Sequence, residues 1–497
     1  MDPIFEIELE RAPKGARQSA SSLHRQLRAA IADGRLRPGT RLPPVREALR
    51  FLGVSRNTAV KVYERLLTEG CVVTRAGSGT YVAEAVAARV RRTPEGLHAN
   101  RAARLNEAWL RPDMRAAMGF WRDEPDARSR RGRPAAIDFR PALIDSRLFP
   151  HAAFRRLLGR QLRRLERRPA RYKSPQGNQG NYSLREAIAK HIALTRAVVC
   201  GADDLLVTSG AQQAFDLLAR VLVSPNRMVV AIEDPGYPPM RAAFAAAGAK
   251  LVPVAVDGEG LIVEQLPRDV AVICVCPSDQ FPLGITMSAR RRRALVDFAH
   301  ACGAVIVEDD YDGEFRHDGS PLQALRASDP ADLVFYIGTF SKCMLPSLRL
   351  GYILAPHWAM QALVVAKNCQ DWHCPTVTQL GVAGFIGEGH LARHVRNMRQ
   401  VYQQRRQALS ALLQRDFEKW LEPIPSLYGM HVAAFARPGL NLERVADDLR
   451  DNHVEIHTLA RYYVGPRSRA GLVFGYGAAD LQQIERGLAL LRKALAR

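Results

Sequence analysis

Between residues 205 and 339, short β-rich apolar runs recur, each closely followed by Gly, Pro, Ser or Asp and separated from the next by a longer amphipathic stretch. The runs are LLV at 205, RMVVAIE at 227, AVICVC at 271, AVIVED at 304 and LVFYIGT at 333. Strands alternating with helical stretches predict an α/β domain built on a parallel sheet with crossover helices. Ligands of such sheets bind beyond the carboxyl ends of the strands, so the residues just after each run are the candidates for chemistry.

The last run leads into GTFSKCMLPSLRLGY, residues 338–352, which sets Lys342 in a turn of small hydroxylated residues. An isolated Ser-Lys pair is ordinarily a solvated loop lysine. Burial, or positive charge from Arg349, would lower its pKa and make it a nucleophile toward an aldehyde. Were that aldehyde pyridoxal phosphate, the chain would also need a phosphate cradle, an acid for the pyridine nitrogen, a donor to the ring hydroxyl and a flat side chain to stack. After LLV, TSGAQQAFDLLARVL is a small-residue turn opening a helix. There Ser209 and the amides of Gly210, Ala211 and Gln212 would face a phosphate, with Thr339, Ser341 and Arg349 closing the cradle from the lysine side. Asp309 is either the ring acid or a turn residue, and Tyr311 reaches for the ring hydroxyl from the same loop. In DPGYPPM, Tyr237 is free to stack, or is an ordinary packed tyrosine.

With these residues in place, the segment from Ile137 to Arg497 resembles the fold-type I aminotransferases: a stacking aromatic in PGY, an acid ending a strand, and S-K with an arginine close behind. CPSDQFPLG at 276–284 departs from the N-P-x-N-P-T-G-like loop of those enzymes and takes the form found in MocR/GabR-type regulators. Asp279 stands where that family commonly has histidine. The resemblance implies pyridoxal 5'-phosphate held as a Schiff base on Lys342, and a homodimer. Where aminotransferases carry a carboxylate-binding arginine in a late strand, GLVFGY at 471–476 has Val473, with Arg469 displaced from that place. In the GABA-responsive member of the family an arginine follows the stacking tyrosine by two residues. Here that position is Pro239, with Arg241 beyond it, so a GABA response is not implied.

Residues 19–82 are similar throughout to a GntR-type winged helix. Leu23, Leu27, Ala30 and Ile31 form the apolar stripe of a first helix, 45–52 a second, and Ser55 caps a third that reaches Leu67. Val60, Tyr63 and Leu67 are expected to face its core. A recognition helix enters the major groove with its first turns, making Ser55, Arg56, Asn57, Thr58 and Lys61 candidates for DNA contact. A hairpin wing spans Arg75 to Gly79, its small tip including Gly77, and Arg46 and Arg75 are assigned to phosphates. The expected organisation is a winged helix at 1–83, a basic linker at 84–136 ending in DARSRRGRPAA, and an aminotransferase-like domain at 137–497.

The formal charge of +21 over 497 residues suggests a polyanionic partner, nucleic acid before membrane. No run of about 18 apolar residues occurs, and MDPIFEIELE lacks the order of a secretory signal, so a cytoplasmic protein is expected, at the nucleoid when DNA-bound. The eight cysteines have no C-x-x-C and no companion histidines at zinc spacing, so free thiols and no metal site are expected. The resulting expectation is a pyridoxal-phosphate-dependent, DNA-binding transcriptional regulator that senses a small amine, an amino acid or the cofactor itself. The alternative is a working aminotransferase with an incidental basic appendage. The winged helix favours the regulator, because a metabolic transaminase has no use for a recognition helix.

Overall fold

The computed structural model describes residues 20–52, 54–83, 109, 114, 136–167, 177–225, 227–316, 323–426, 428–465 and 469–497, without side chains at 49–52. The chain divides into two compact units, Met1–Leu105 and Asn106–Arg497. Apart from residues 109, 114 and 136, the stretch expected as linker lies outside the described residues. No helix among those described is long and apolar enough to cross a membrane.

The first unit consists of helices Ala20–Ala32, Val45–Leu52 and Arg56–Thr68 and a hairpin of Val72–Arg75 with Gly79–Val82. The hairpin is antiparallel, Val72 opposite Val82 and Arg75 opposite Gly79. Ser55 caps the third helix, its hydroxyl accepting from the Thr58 amide at 3.2 Å. Leu23, Leu27, Ala30 and Ile31 are buried as their spacing requires. On the third helix the buried stripe is Ala59, Val62, Tyr63 and Leu66. This corrects the expected Val60, Tyr63 and Leu67: Val60 is only half-buried and Leu67 is 46% exposed. Both stripes pass through Tyr63 and both keep helical spacing, but the observed one fills every position of an i, i+3, i+4, i+7 face, whereas the expected one has Glu64 at its i+4 position. The Tyr63 hydroxyl, common to both, donates to Pro43 O at 2.9 Å.

The second unit centres on an eight-stranded sheet whose order is Leu205–Thr208, Gly351–Leu354, Val334–Thr339, Val305–Asp310, Val270–Val275, Val229–Asp234, Lys250–Asp257 and Gly260–Leu261. The five expected strands are present. The sheet is mixed rather than parallel, because Gly351–Leu354 runs antiparallel between Leu205–Thr208 and Val334–Thr339. This strand directly follows the lysine turn, which is too short for the crossover a parallel neighbour needs. Helices Ala211–Leu222, Pro238–Ala246 and His357–Gln370 bury one face of the sheet around Phe215, Phe244, Phe335 and Leu363. A second, four-stranded sheet orders Leu421–Pro423, His431–Ala436, Gly471–Gly475 and His457–Thr458.

The revised stripe of the third helix has a direct consequence. Leu66→Ala, at a site with no exposure, should destabilise the winged helix by about 2–5 kcal/mol, whereas Leu67→Ala should change it by no more than about 0.5 kcal/mol. Hydrogen exchange across residues 20–83 of the full chain measures both, and a larger cost at Leu67 than at Leu66 would restore the expected stripe.

Candidate functional site

Strand register brings the separate motifs to one end of the large sheet. Thr208 lies opposite Gly351, which lies opposite Thr339; one residue earlier, Gly338 lies opposite Asp310 and Ile337 opposite Asp309. The turn after Thr208, the turn after Thr339 and the loop after Asp310 therefore open at the same edge. Gly338 and Gly351 allow the crowding: a Cβ on Gly338 would stand 2.2 Å from the Tyr352 ring, and one on Gly351 2.9 Å from Gly338 O.

At the first turn, Gly210 takes φ +80 and caps helix Ala211–Leu222. Gln213 and Ala214 donate to Gly210 O, so the amides of Gly210, Ala211 and Gln212 are those that a helix start leaves over for an outside acceptor. The Ser209 amide is bonded instead to Gln213 Oε1 at 2.7 Å, and the Ser209 hydroxyl faces Asp371 Oδ2 at 3.4 Å. The buried Lys367 ammonium balances that carboxylate. Gln212 Nε2 donates to Pro239 O at 3.2 Å. Arg349, held at φ +47, reaches across to donate to Ser209 O at 3.1 Å. A Cβ on Gly210 would lie 2.9 Å from Arg349 Nη2. Thr339 Oγ1 donates to Ser341 Oγ at 3.0 Å and accepts from the Ser341 amide at 3.2 Å.

Lys342 is half-buried, and its Nζ donates to Ala142 O at 2.6 Å. Desolvation brings its pKa down to about 8, with the Arg349 charge adding to the fall and Asp312 and Asp309 opposing it. Asp309 is buried, and one oxygen accepts weakly from the Cys276 thiol at 3.9 Å. The other, Oδ1, has no hydrogen-bond partner among the described residues. Burial and the neighbouring Asp310 charge push the Asp309 carboxyl up to about 7, Lys342 and the thiol working against them. Asp310 points to the opposite face, consumed by Arg196 Nε at 2.7 Å and the Tyr336 hydroxyl at 2.5 Å. Tyr311 is buried, with its hydroxyl donating to Asp279 Oδ2 at 2.8 Å. Tyr237 is half-buried at the start of helix Pro238–Ala246, edge-on to Phe281 with ring centroids 5.4 Å apart.

The two places weighed for carboxylate recognition hold no free arginine. Val473 is buried in its strand, and Arg469 faces away, 2.7 Å from Glu422 and over the Phe435 ring. Arg241 donates to Tyr462 O at 2.9 Å. Sequence reasoning missed Ala142, Asp312 and His431, all contributed by elements distant from the lysine motif.

In the first unit, Arg46, Arg56, Asn57 and Lys61 are exposed, and Thr58 is half-exposed with its hydroxyl 2.9 Å from Ser55 Oγ. Ser55 is therefore engaged in capping. Arg75 lies over the Tyr81 ring, 4.9 Å from its centroid, and Gly77 holds the wing tip at φ +68. Arg41, which the sequence did not single out, runs beside the wing: a Cβ on Gly79 would stand 3.0 Å from its Nε.

Together these features define a winged-helix unit joined to a large unit built to hold an aldehyde cofactor with a phosphate arm. Residues 20–82 match the family described as bacterial regulatory proteins, gntR family, and residues 161–470 match aminotransferase class I and II. Among curated relatives, the chain is 34% identical to the probable rhizopine catabolism regulatory protein MocR of Rhizobium meliloti, covering 95% of this chain and 92% of that one. It is 30% identical to the pyridoxine biosynthesis transcriptional regulator PdxR of Corynebacterium glutamicum, with 96% of each covered. Among solved structures it is similar to the α-aminoadipate aminotransferase LysN of Thermus thermophilus, with TM-score 0.68 and 26% identity over 79% of this chain and 98% of that chain. The chain belongs to the MocR-type regulators, in which a gntR helix-turn-helix unit precedes an aminotransferase-like domain. It is a DNA-binding transcriptional regulator, and its cofactor is pyridoxal 5'-phosphate.

Asp309 supplies a titration that can be checked without the cofactor. An unfolded aspartate ionises near 3.9, whereas folded Asp309 holds its proton to about 7. The folded state binds the proton more tightly, so its stability falls as pH rises through that interval. Cofactor-free Asp309→Asn should therefore lose less stability than cofactor-free wild type between about pH 4 and 7, read from urea midpoints. Parallel curves would assign the titration to other buried carboxyls, such as Glu233, pushed up to about 8 by burial.

Proposed function

We propose that the large unit carries pyridoxal 5'-phosphate on Lys342 and reports a small amine, an amino acid or the cofactor itself to the winged helix, which occupies promoter DNA. The single observation that carries this reading is Asp309 Oδ1, buried and without a partner at the sheet edge where Lys342 and the Gly210 turn also open. An atom so placed fits a ring nitrogen that arrives with a proton to donate. When bound, the cofactor supplies a carbonyl carbon that captures amines and a ring that withdraws electrons. Lys342 Nζ holds that carbon, losing its proton readily because its pKa stands at about 8. Ser209, the Gly210, Ala211 and Gln212 amides, Thr339, Ser341 and Arg349 take the phosphate, Tyr311 the ring hydroxyl, and Tyr237 the ring face.

On the DNA side, Arg56, Asn57, Thr58 and Lys61 read bases, with Ser55 setting the helix start. Arg46, Arg75 and the Gly77 tip follow the backbone. Two such units in a homodimer would address two half-sites. The organisation that suits this reading is 1–83 for DNA, 84–136 as linker and 137–497 as sensor, in a cytoplasmic protein bound at the nucleoid. The relatives' names, one concerned with rhizopine catabolism and one with pyridoxine biosynthesis, support a small nitrogenous ligand without choosing it. Amino-acid turnover should be poor, because Val473 offers no cation to a carboxylate.

Borohydride reduction should fix the cofactor to the Lys342 peptide, with the rate of attachment rising with pH to a plateau above about 8, as the amine loses its proton. Fixation on another lysine would overturn the assignment. Lys342→Ala should retain DNA affinity and lose the ligand's effect on it. Arg46→Ala and Arg75→Ala should each lower the log-log salt slope by about 0.9, whereas Arg56→Ala should cost about 1–3 kcal/mol of discrimination at one base pair. Mobility-shift titrations at several salt concentrations separate these outcomes. A full chain with no preference for its gene's upstream region over random DNA would defeat the regulatory reading.

A further inference from the structure

Asp279, Asp312 and His431 meet beside the lysine pocket from three separate elements: the loop after strand Val270–Val275, the loop after Val305–Asp310, and the start of His431–Ala436. Their exposures are 1%, 2% and 1%. One ligand-capable atom from each lies within 4.8 Å of the others. His431 Nε2 lies 3.0 Å from Pro282 O, so Nε2 carries the hydrogen and Nδ1 presents a bare lone pair. That Nδ1 is 3.9 Å from Asp279 Oδ2 and has no hydrogen-bond partner. Asp279 Oδ1 and Asp312 Oδ2 are likewise without hydrogen-bond partners among the described residues. Among the described residues, the hydroxyl bonded into the group is that of Tyr311, donating to Asp279 Oδ2 at 2.8 Å.

Several lone pairs thus converge in the interior with too few protons to separate them, and a buried anionic pair calls for a proton or a cation. The backbone leaves room at the same point. A Cβ on Gly429, at φ +79, would stand 2.1 Å from Asp279 Oδ2 and 2.8 Å from Asp312 Oδ2. Only glycine tolerates both that conformation and that approach.

We propose that Asp279, Asp312 and His431 form a binding site for a divalent first-row transition ion, of the zinc or manganese class, next to the cofactor pocket. One imidazole nitrogen and two carboxylates suit such ions, whereas an all-oxygen set would suit magnesium or calcium. Metal–ligand bonds of about 2.0–2.2 Å place tetrahedral ligand atoms about 3.4 Å apart, so the side chains close in modestly from their present spacing. The Pro282 carbonyl supplies the outer hydrogen bond that orients a ligating histidine. Three protein ligands leave at least one position for water. Asp279 is decisive, since it adds the second carboxylate.

The test uses the full chain, stripped with EDTA, dialysed and titrated calorimetrically with ZnCl2 and MnCl2, followed by metal analysis after gel filtration. The wild type should retain one ion per chain above the Asp312→Asn/His431→Gln double variant. Asp279→Asn should weaken binding at least about tenfold, and Asp279→His, which restores a ligand atom, should recover it. Near-ultraviolet circular dichroism checks that each variant is folded. In the unaltered wild type, electron spin-echo modulation of bound Mn2+ should show one imidazole nitrogen, a readout that needs no variant. Absence of that nitrogen signal, or retention no greater than in the double variant, would overturn the site and leave Asp279 and Asp312 sharing a proton.

Discussion

The ion pair of Arg196 with Asp310 orders the site more than any residue that faces the cofactor. Arg196 ends helix Tyr182–Arg196 and reaches the sheet as a buried fork, Nε to Oδ2 at 2.7 Å and Nη2 to Oδ1 at 2.8 Å, with a further contact to Ser278. Two adjacent aspartates end that strand, and alternation sends them to opposite faces. By neutralising Asp310, Arg196 lets the second carboxyl remain in the interior and leaves Asp309 as the aspartate of the pair on the side of Lys342. Losing one partner of such a pair costs about 3–5 kcal/mol, because the other is left charged and buried. The Ser278 contact also ties the loop that carries Asp279 to the same arginine.

How much of this was legible in the chain varies with the physics of each element. The five buried strands announce themselves as continuous, mostly apolar runs, which need no partner to be recognised. Strand Gly351–Leu354 was hidden because its residues follow the lysine turn without a break and read as its tail. Lys250–Asp257 carries Pro253 and a half-exposed pattern, which blurs the signal of a strand. On the third helix of the winged unit, two apolar stripes share Tyr63, and burial of Ala59, Val62 and Leu66 beside it shows which one faces the core.

The site divides in the same way. That Lys342, Asp309, Tyr311 and the Gly210 turn come to one sheet edge was legible because each ends or closely follows a strand. The carbonyl of Ala142 could not be found, since a backbone oxygen has no signature in sequence. His431 and Asp312 gain their meaning only from meeting Asp279, across sequence gaps that no periodicity bridges. The cysteine spacing said nothing of a metal because the converging atoms are oxygen and nitrogen.

The hydrogen bond from Lys342 to Ala142 bears on how force could travel through the chain. Ala142 lies shortly after Ala136, where the described part of the large unit begins, yet the path between them is pinned twice. Ile137 and Asp138 pair with Val454 and Glu455, and Phe139 both donates to Glu455 O and accepts from the Gly475 amide. A pull arriving from the amino-terminal side is therefore borne by these strand contacts before it reaches the carbonyl at the lysine. In mechanical terms the segment is an anchor rather than a tether: it isolates the pocket from tension in the connecting chain.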